Sequence, residues 1–385
     1  MALTHRSAMT EPAKPAAAMQ SLLPAFQEQD ARFASAFDLV TEAIANHAFP
    51  SAVLAVTHRG QLIIWRAFGR FTYDAGSPHV SPTTVYDLAS LTKVVATTSM
   101  AMLLFERGLL DIEAPVVAIA PEFAAGSSDP RRKSITVRML LAHSSGLPAY
   151  EQLYNRASTR DTLIASAMTM PLKADPMTHA EYSDIGFIIL GELLSRVANE
   201  SIDRFCSREV FAPLEISSAA FCPPAEWRRH IPPTVDDRDF RMRVVQGEVH
   251  DENASVMGGV SGHAGLFASA YDVALFAHCM LAGGAPVVRP ATVNMFTRRE
   301  SLPPGTSHAL GWDTPSQPSQ SGRHFSPRSY GHLGYTGTSL WCDAERQLSV
   351  TLLTNRVWPD RSSQAIKQVR PSVHDAIVEA LSQES

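Results

Sequence analysis

A serine and a lysine three residues apart, Ser90 and Lys93, stand at the start of a long apolar-periodic segment, LASLTKVVATTSMAMLLFERG. Residues at that spacing share one helix face, one turn apart. Leu91, Val94, Val95, Met102 and Phe105 give the segment an apolar stripe that has to be buried, and Gly108 fits its C-terminal stop. The serine then falls in the first turn, where unpaired N–H groups and the positive end of the helix dipole gather. A lysine beside it, with its pKa lowered by burial or by neighbouring positive charge, can take the serine's proton. The segment therefore predicts a core helix with a reactive first turn, in a fold large enough to enclose it.

The 385 residues suffice for two substructures around a large core. Hydrophobic residues make up 45% and charged residues 18%, ordinary values for a soluble globular chain. A net charge of −5 and a pI near 6.3 provide no basic field for nucleic acid and no polybasic membrane patch. The first twenty residues are rich in Ala and Pro, without an apolar run of signal-peptide length, and no transmembrane stretch follows. Residues 1–29 are accordingly expected to be a disordered tail and the protein cytoplasmic, and the oligomeric state is left open. Cys206, Cys222, Cys279 and Cys342 form no C-x-x-C pair and are expected to be buried free thiols.

Periodicity assigns a helix to 31–47, two strands to 51–58 and 61–68 around the Arg59-Gly60 turn, and helical character to most of 109–284. Within that stretch 185–197 is a clear helix, and 269–272 resembles a capping box for a helix over 273–281. A Pro- and Ser-rich loop fills 301–329, followed by strands at 338–343 and 347–354 and a last helix over 371–381. The simplest arrangement joins early and late strands in one antiparallel sheet covered by the terminal helices. This gives an α/β (α+β) lobe from 30–110 and 300–385, a mainly helical lobe from 111–299, and a cleft between them.

Two later segments can join Ser90 and Lys93. Tyr182-Ser183-Asp184 precedes an apolar helix, with Asp184 placed as its N-cap. The Tyr182 hydroxyl near the serine could accept its proton and hand it to a leaving group; alone, it reads more readily as a half-buried tyrosine beside a helix-capping aspartate. Gly331-His332-Leu333-Gly334-Tyr335-Thr336-Gly337 reads as a Gly-rich strand whose backbone N–H groups can face an oxyanion.

In this order the three segments resemble the serine β-lactamase and penicillin-binding-protein superfamily, in its class C branch, over about residues 30–382. Leu140–Pro148, Val210–Leu214, Gly265–Asp272 and Leu353–Arg356 resemble further phrases of that family. The resemblance implies a β-lactamase/transpeptidase-like fold, an antiparallel sheet flanked by helices plus a helical lobe, and no metal or organic cofactor. It implies that Ser90 is an acylated nucleophile, Lys93 its proton acceptor or electrostatic activator, and Tyr182 a general acid/base. Tyr335, His332, Asp184 and Gly334 become substrate-binding or oxyanion positions, with the amides of Ser90 and Tyr335 as the oxyanion donors.

Two positions depart from the family pattern. Asp184 stands where asparagine is usual, and His332-Leu333-Gly334 where K-T-G is usual. Histidine is mostly neutral at pH 7, and Leu333 removes a hydroxyl, so weaker recognition of a free substrate carboxylate is expected. A charged His332–Asp184 pair across the site would instead keep the histidine protonated. The implied activity is hydrolysis of an amide or ester through a Ser90 acyl-enzyme. The substrate would be a peptidoglycan-derived peptide, by muramoyl-L-alanine amidase or D-alanyl carboxypeptidase action. A small-molecule carboxylesterase, a weak β-lactamase and a non-turnover penicillin sensor remain as alternatives. Elsewhere, His250 and Asp251 are expected to pair on a loop near the cleft, His143 to be structural, Arg131-Arg132-Lys133 to be solvated, and neither His250 nor His263 to ligate a metal.

Overall fold

The computed structural model describes residues 21–383. Its strands, in chain order, are β1 (Leu23–Pro24), β2 (Ser51–His58), β3 (Gln61–Gly69), β4 (Val85–Asp87), β5 (Ala220–Phe221), β6 (Val235–Asp237), β7 (Arg243–Val245), β8 (Leu266–Ser269), β9 (Tyr330–Leu333), β10 (Ser339–Asp343) and β11 (Leu348–Thr354). Six of them form one sheet in the order β1-β3-β2-β11-β10-β9, antiparallel except for the β1–β3 pair. The expected joining of early and late strands is therefore direct, with β2 against β11 and Ala55 opposite Thr351. Strand β1 lies inside the segment expected to be a disordered tail; residues 1–20 lie outside the described residues.

Both faces of the sheet are covered, so β2 is apolar on both sides rather than alternating apolar with polar. Leu54, Val56, Val350 and Leu352 point to one core, closed by the helices Ala34–Ala45 and Ile366–Ser382. Val53, Ala55, Leu340 and Leu353 point to the other, where the helix Ala270–Leu281 and the Ser90 segment pack. Between β4 and β9 the regular structure is mainly helical, joined by long loops, with two small sheets, β4-β8-β5 and β6-β7.

Several sequence expectations need correcting. The last helix begins at Ile366, not at Pro371, which sits inside it. Pro371 has no N–H for the Lys367 carbonyl four residues back; the Gln320 amide supplies that donor at 3.0 Å. Arg132 is buried rather than solvated, because its guanidinium donates to the carbonyls of Phe123, Met168 and Met170. All four cysteines are free, but Cys222 is exposed. Within the 301–329 loop, Trp312 is buried between Phe276 and Tyr330.

Candidate active site

The Ser90 segment is not one regular helix. A 3₁₀ turn at Ala89–Leu91 leads into a widened π-type stretch, Lys93–Thr98, and only then into the α-helix Ser99–Glu106. Such widened turns concentrate at functional sites. Ala89 sits at φ 47°, a left-handed conformation unfavourable for a residue with a Cβ. Asp87 holds it there, accepting the Ala89 N–H on Oδ1 at 2.8 Å and the His250 N–H on Oδ2 at 2.6 Å. Burial raises the Asp87 pKa to about 6.

The end of β9 is fastened against this turn. Thr336 and Thr338 donate their hydroxyls to the carbonyls of Asp87 and Leu88, each at 2.8 Å. Between them Gly334 packs so closely on Leu88 O and Thr338 that a Cβ would collide with both. The glycine is thus required for approach rather than for a turn.

Around Ser90 Oγ the predicted groups converge. Lys93 Nζ lies 2.9 Å away and the Tyr182 hydroxyl 2.8 Å away. Lys93 is fully buried, and Nζ also donates to Asp184 Oδ1 at 2.7 Å and to His263 O at 3.0 Å. Those two partners only accept, so a neutral Lys93 amine would spend its two N–H bonds on them and turn its lone pair to Ser90. Burial lowers the Lys93 pKa, with Asp184 opposing the shift. Burial, reinforced by Asp184, pushes the Tyr182 phenol well above its usual value. Tyr182 is therefore a neutral hydroxyl at physiological pH, able to relay a proton.

The helix Asp184–Ala198 is capped by Ser183, whose Oγ accepts the Gly186 N–H at 3.0 Å. Asp184 is consequently not the N-cap but the first helical residue, and its carboxylate is free to reach Lys93. Gly191 on this helix touches the backbone of Gly262, which a Cβ would prevent, and that contact brings the His263 carbonyl to Lys93. His143 is buried and structural: Nδ1 accepts the Ser183 N–H at 3.0 Å, and its ring lies 4.8 Å from that of Tyr182.

The alternative of a His332–Asp184 ion pair is not what the structure shows. Asp184 is taken by Lys93, while His332 Nδ1 lies 2.8 Å from its neighbour's carbonyl, Leu333 O. Burial first, and the Lys93 charge second, lower the His332 pKa to about 3, so the ring is neutral. The ring is 5.8 Å from that of Tyr182. With the proton on Nδ1, directed at Leu333 O, Nε2 is left as an acceptor.

Ser90, Tyr182, Asp184, His332, Gly334 and Tyr335 line one cavity of about 650 Å³, with Lys93 just beneath its floor. The sequence reading missed the cations on its wall, Arg356, Arg361, Lys367 and Arg370. Arg356 was visible in the Leu353–Arg356 phrase; Arg370 was hidden because its helix starts five residues earlier than Pro371 suggested. Arg370 is 4% exposed and donates to Gly334 O and Thr338 O, yet has no carboxylate partner among the described residues. Burial and the nearby Arg356 lower its pKa to about 9. His250 and Asp251 do not pair with each other: Asp251 Oδ1 accepts from His263 Nε2 at 2.8 Å. Among the described residues no group of three or more His, Cys, Asp or Glu is placed to hold a metal ion, and no helix is long and apolar enough to cross a membrane.

Strand order, the terminal-helix layer and the Ser–Lys–Tyr cluster define a β-lactamase/transpeptidase-like fold. The Beta-lactamase family profile matches residues 36–372, and the chain belongs to that family. It is 31% identical over 343 residues to an "N-acetylmuramyl-L-alanine amidase" of Bacillus subtilis (strain 168), covering 80% of this chain and 77% of the relative. It is 30% identical over 362 residues to a "Putative D-alanyl-D-alanine carboxypeptidase" of Salmonella agona (strain SL483), covering 84% of this chain and 82% of the relative. Its fold is similar to that of EstCE1, a hydrolase with promiscuous acyltransferase activity, with a TM-score of 0.74 at 20% identity, over 91% of this chain and 99% of that one.

Proposed function

We propose that this protein is a serine hydrolase that cleaves the amide between an N-acetylmuramoyl group and L-alanine, through an acyl-enzyme on Ser90. The observation that carries the reading is Ser90 Oγ held between a buried lysine at 2.9 Å and a neutral tyrosine at 2.8 Å. In acylation, Ser90 Oγ bonds to the substrate carbonyl carbon while its proton passes to the Lys93 amine. The amides of Ser90 and Tyr335 take up the oxyanion charge. Tyr182 gives its proton to the departing nitrogen and is reprotonated from Lys93. Water then attacks the ester, with the same groups relaying its proton back to Ser90 Oγ. The amidase relative supports the choice of bond.

D-alanyl carboxypeptidase action is the second reading, and Arg370 favours it. A buried guanidinium without a carboxylate partner, bonded to Gly334 O, gives the cavity the cation that His332 does not. The deciding experiment is mass spectrometry of products from soluble N-acetylmuramoyl pentapeptide, with Ser90→Ala as control. The expected result is intact pentapeptide freed from the sugar, with the rate reduced roughly 10⁴-fold or more in the variant. Loss of the terminal D-alanine alone would establish the carboxypeptidase. An untouched substrate would reject both in favour of a small-ester hydrolase or a sensor.

A further inference from the structure

The segment His250-Asp251 and His263 borders the cavity but has no part in the proton relay. Asp251 caps the short helix Glu252–Val256, and Oδ1 carries both of its bonds, from Ala254 N and His263 Nε2, each at 2.8 Å. Oδ2 has no partner among the described residues. Burial raises the pKa of this carboxyl, but His263 and the Ala254 N–H outweigh it and hold the group well below the usual range. Asp251 is thus a fixed, ionised acceptor.

Its neighbour is the opposite case. His250 is 4% exposed, and neither ring nitrogen has a hydrogen-bond partner among the described residues. Burial lowers its pKa to about 3, so it offers one N–H and one lone pair. A buried polar side chain left unpaired beside a cavity costs free energy, unless whatever enters the cavity pairs with it. Two tyrosines flank the pair. Tyr150 is 41% exposed and Tyr335 51% exposed, and the Tyr335 ring lies 5.8 Å from that of His250.

We propose that Asp251 and His250, flanked by Tyr150 and Tyr335, form a subsite for an acetamido sugar in the acyl part of the substrate. A secondary amide presents one N–H and one C=O. Asp251 Oδ2 accepts the first and a His250 N–H meets the second, while the tyrosine faces cover the apolar face of the pyranose ring. The subsite is fixed to the nucleophile at two points. His250 N is bonded to Asp87, which also holds Ala89, and the His263 carbonyl accepts from Lys93. Asp251 therefore determines specificity through contact with substrate, and the assignment rests on the amidase reading for the identity of the acyl group.

The test measures binding, not turnover. In Ser90→Ala protein, calorimetry compares N-acetylmuramoyl-L-alanine with D-lactoyl-L-alanine, which has the same scissile amide without the sugar. The sugar-bearing ligand should bind at least ~10-fold tighter, the equivalent of one hydrogen bond to a charged group. Adding Asp251→Asn should erase most of that ratio, and Tyr150→Ala, at an exposed position, should reduce it. Thermal melting of each variant checks the fold. Equal binding of the two ligands would overturn the subsite, as would a preference that survives both substitutions. If the sugar is preferred but wild-type protein leaves the muramoyl amide intact, the proposed reaction falls and the subsite stands. Peptide release without a sugar preference has the reverse meaning.

Discussion

Lys93 is the residue on which the site's chemistry turns, because two effects of opposite sign act on one amine. Burial favours the neutral form and Asp184 the charged one. Between its lowered folded pKa and the ordinary lysine value, the unfolded chain binds more protons at this position than the folded chain. Stability therefore rises with pH through that window. Replacing the carboxylate by the amide usual in this family, Asp184→Asn, removes the opposing charge. The acid limb of the kcat/KM profile should then move to lower pH; a limb that stays in place or rises would mean that Asp184 does not hold the lysine's proton. Ser90, Lys93 and Tyr182 were legible in the sequence because helix spacing and motif order fix their neighbours. The partners of Asp184, His332 and Asp251 were not. Each is settled by a competing contact with a chain segment remote in sequence or with a main-chain carbonyl, which composition does not reveal.

The elements were legible where hydrophobic periodicity is strong. Strands β2, β3, β10 and β11 fall within a residue of their expected bounds, as does the helix Asp184–Ala198. Legibility failed where tertiary contacts substitute for local rules. A proline inside the last helix is tolerated because the Gln320 side chain reaches the orphaned carbonyl, and the Ser90 segment is wound into three helical types by its surroundings. The clearest such dependence is the junction of β9 with the Ser90 turn. Thr338 is fully buried and its hydroxyl donates to Leu88 O, which the Leu91 N–H also reaches at 3.1 Å, so Thr338→Val keeps the shape and removes one of that carbonyl's two donors. The variant should lose about 1 kcal/mol in urea unfolding and also lower kcat, since Tyr335 lies within this junction. An unchanged kcat at reduced stability would separate the junction from the site.

On the scale of the whole molecule, the sheet is assembled from the two ends of the chain, with the helical region inserted between β4 and β9. Without β9, β10 and β11, strand β2 has a bare edge and one face of each core is missing. A chain ending at residue 329 should therefore show no cooperative melting transition by circular dichroism, although it contains Ser90, Lys93 and Tyr182. A sharp transition would mean that the helical region folds by itself. The same joining of the chain's ends sets the order of events during synthesis. While the polypeptide is still leaving the ribosome the Ser90 turn has no strand to lie against, because the threonines that clasp it stand 249 and 250 residues after the carbonyls they bind. The Ser90 turn can thus take its final form only after β9 and these threonines have been made.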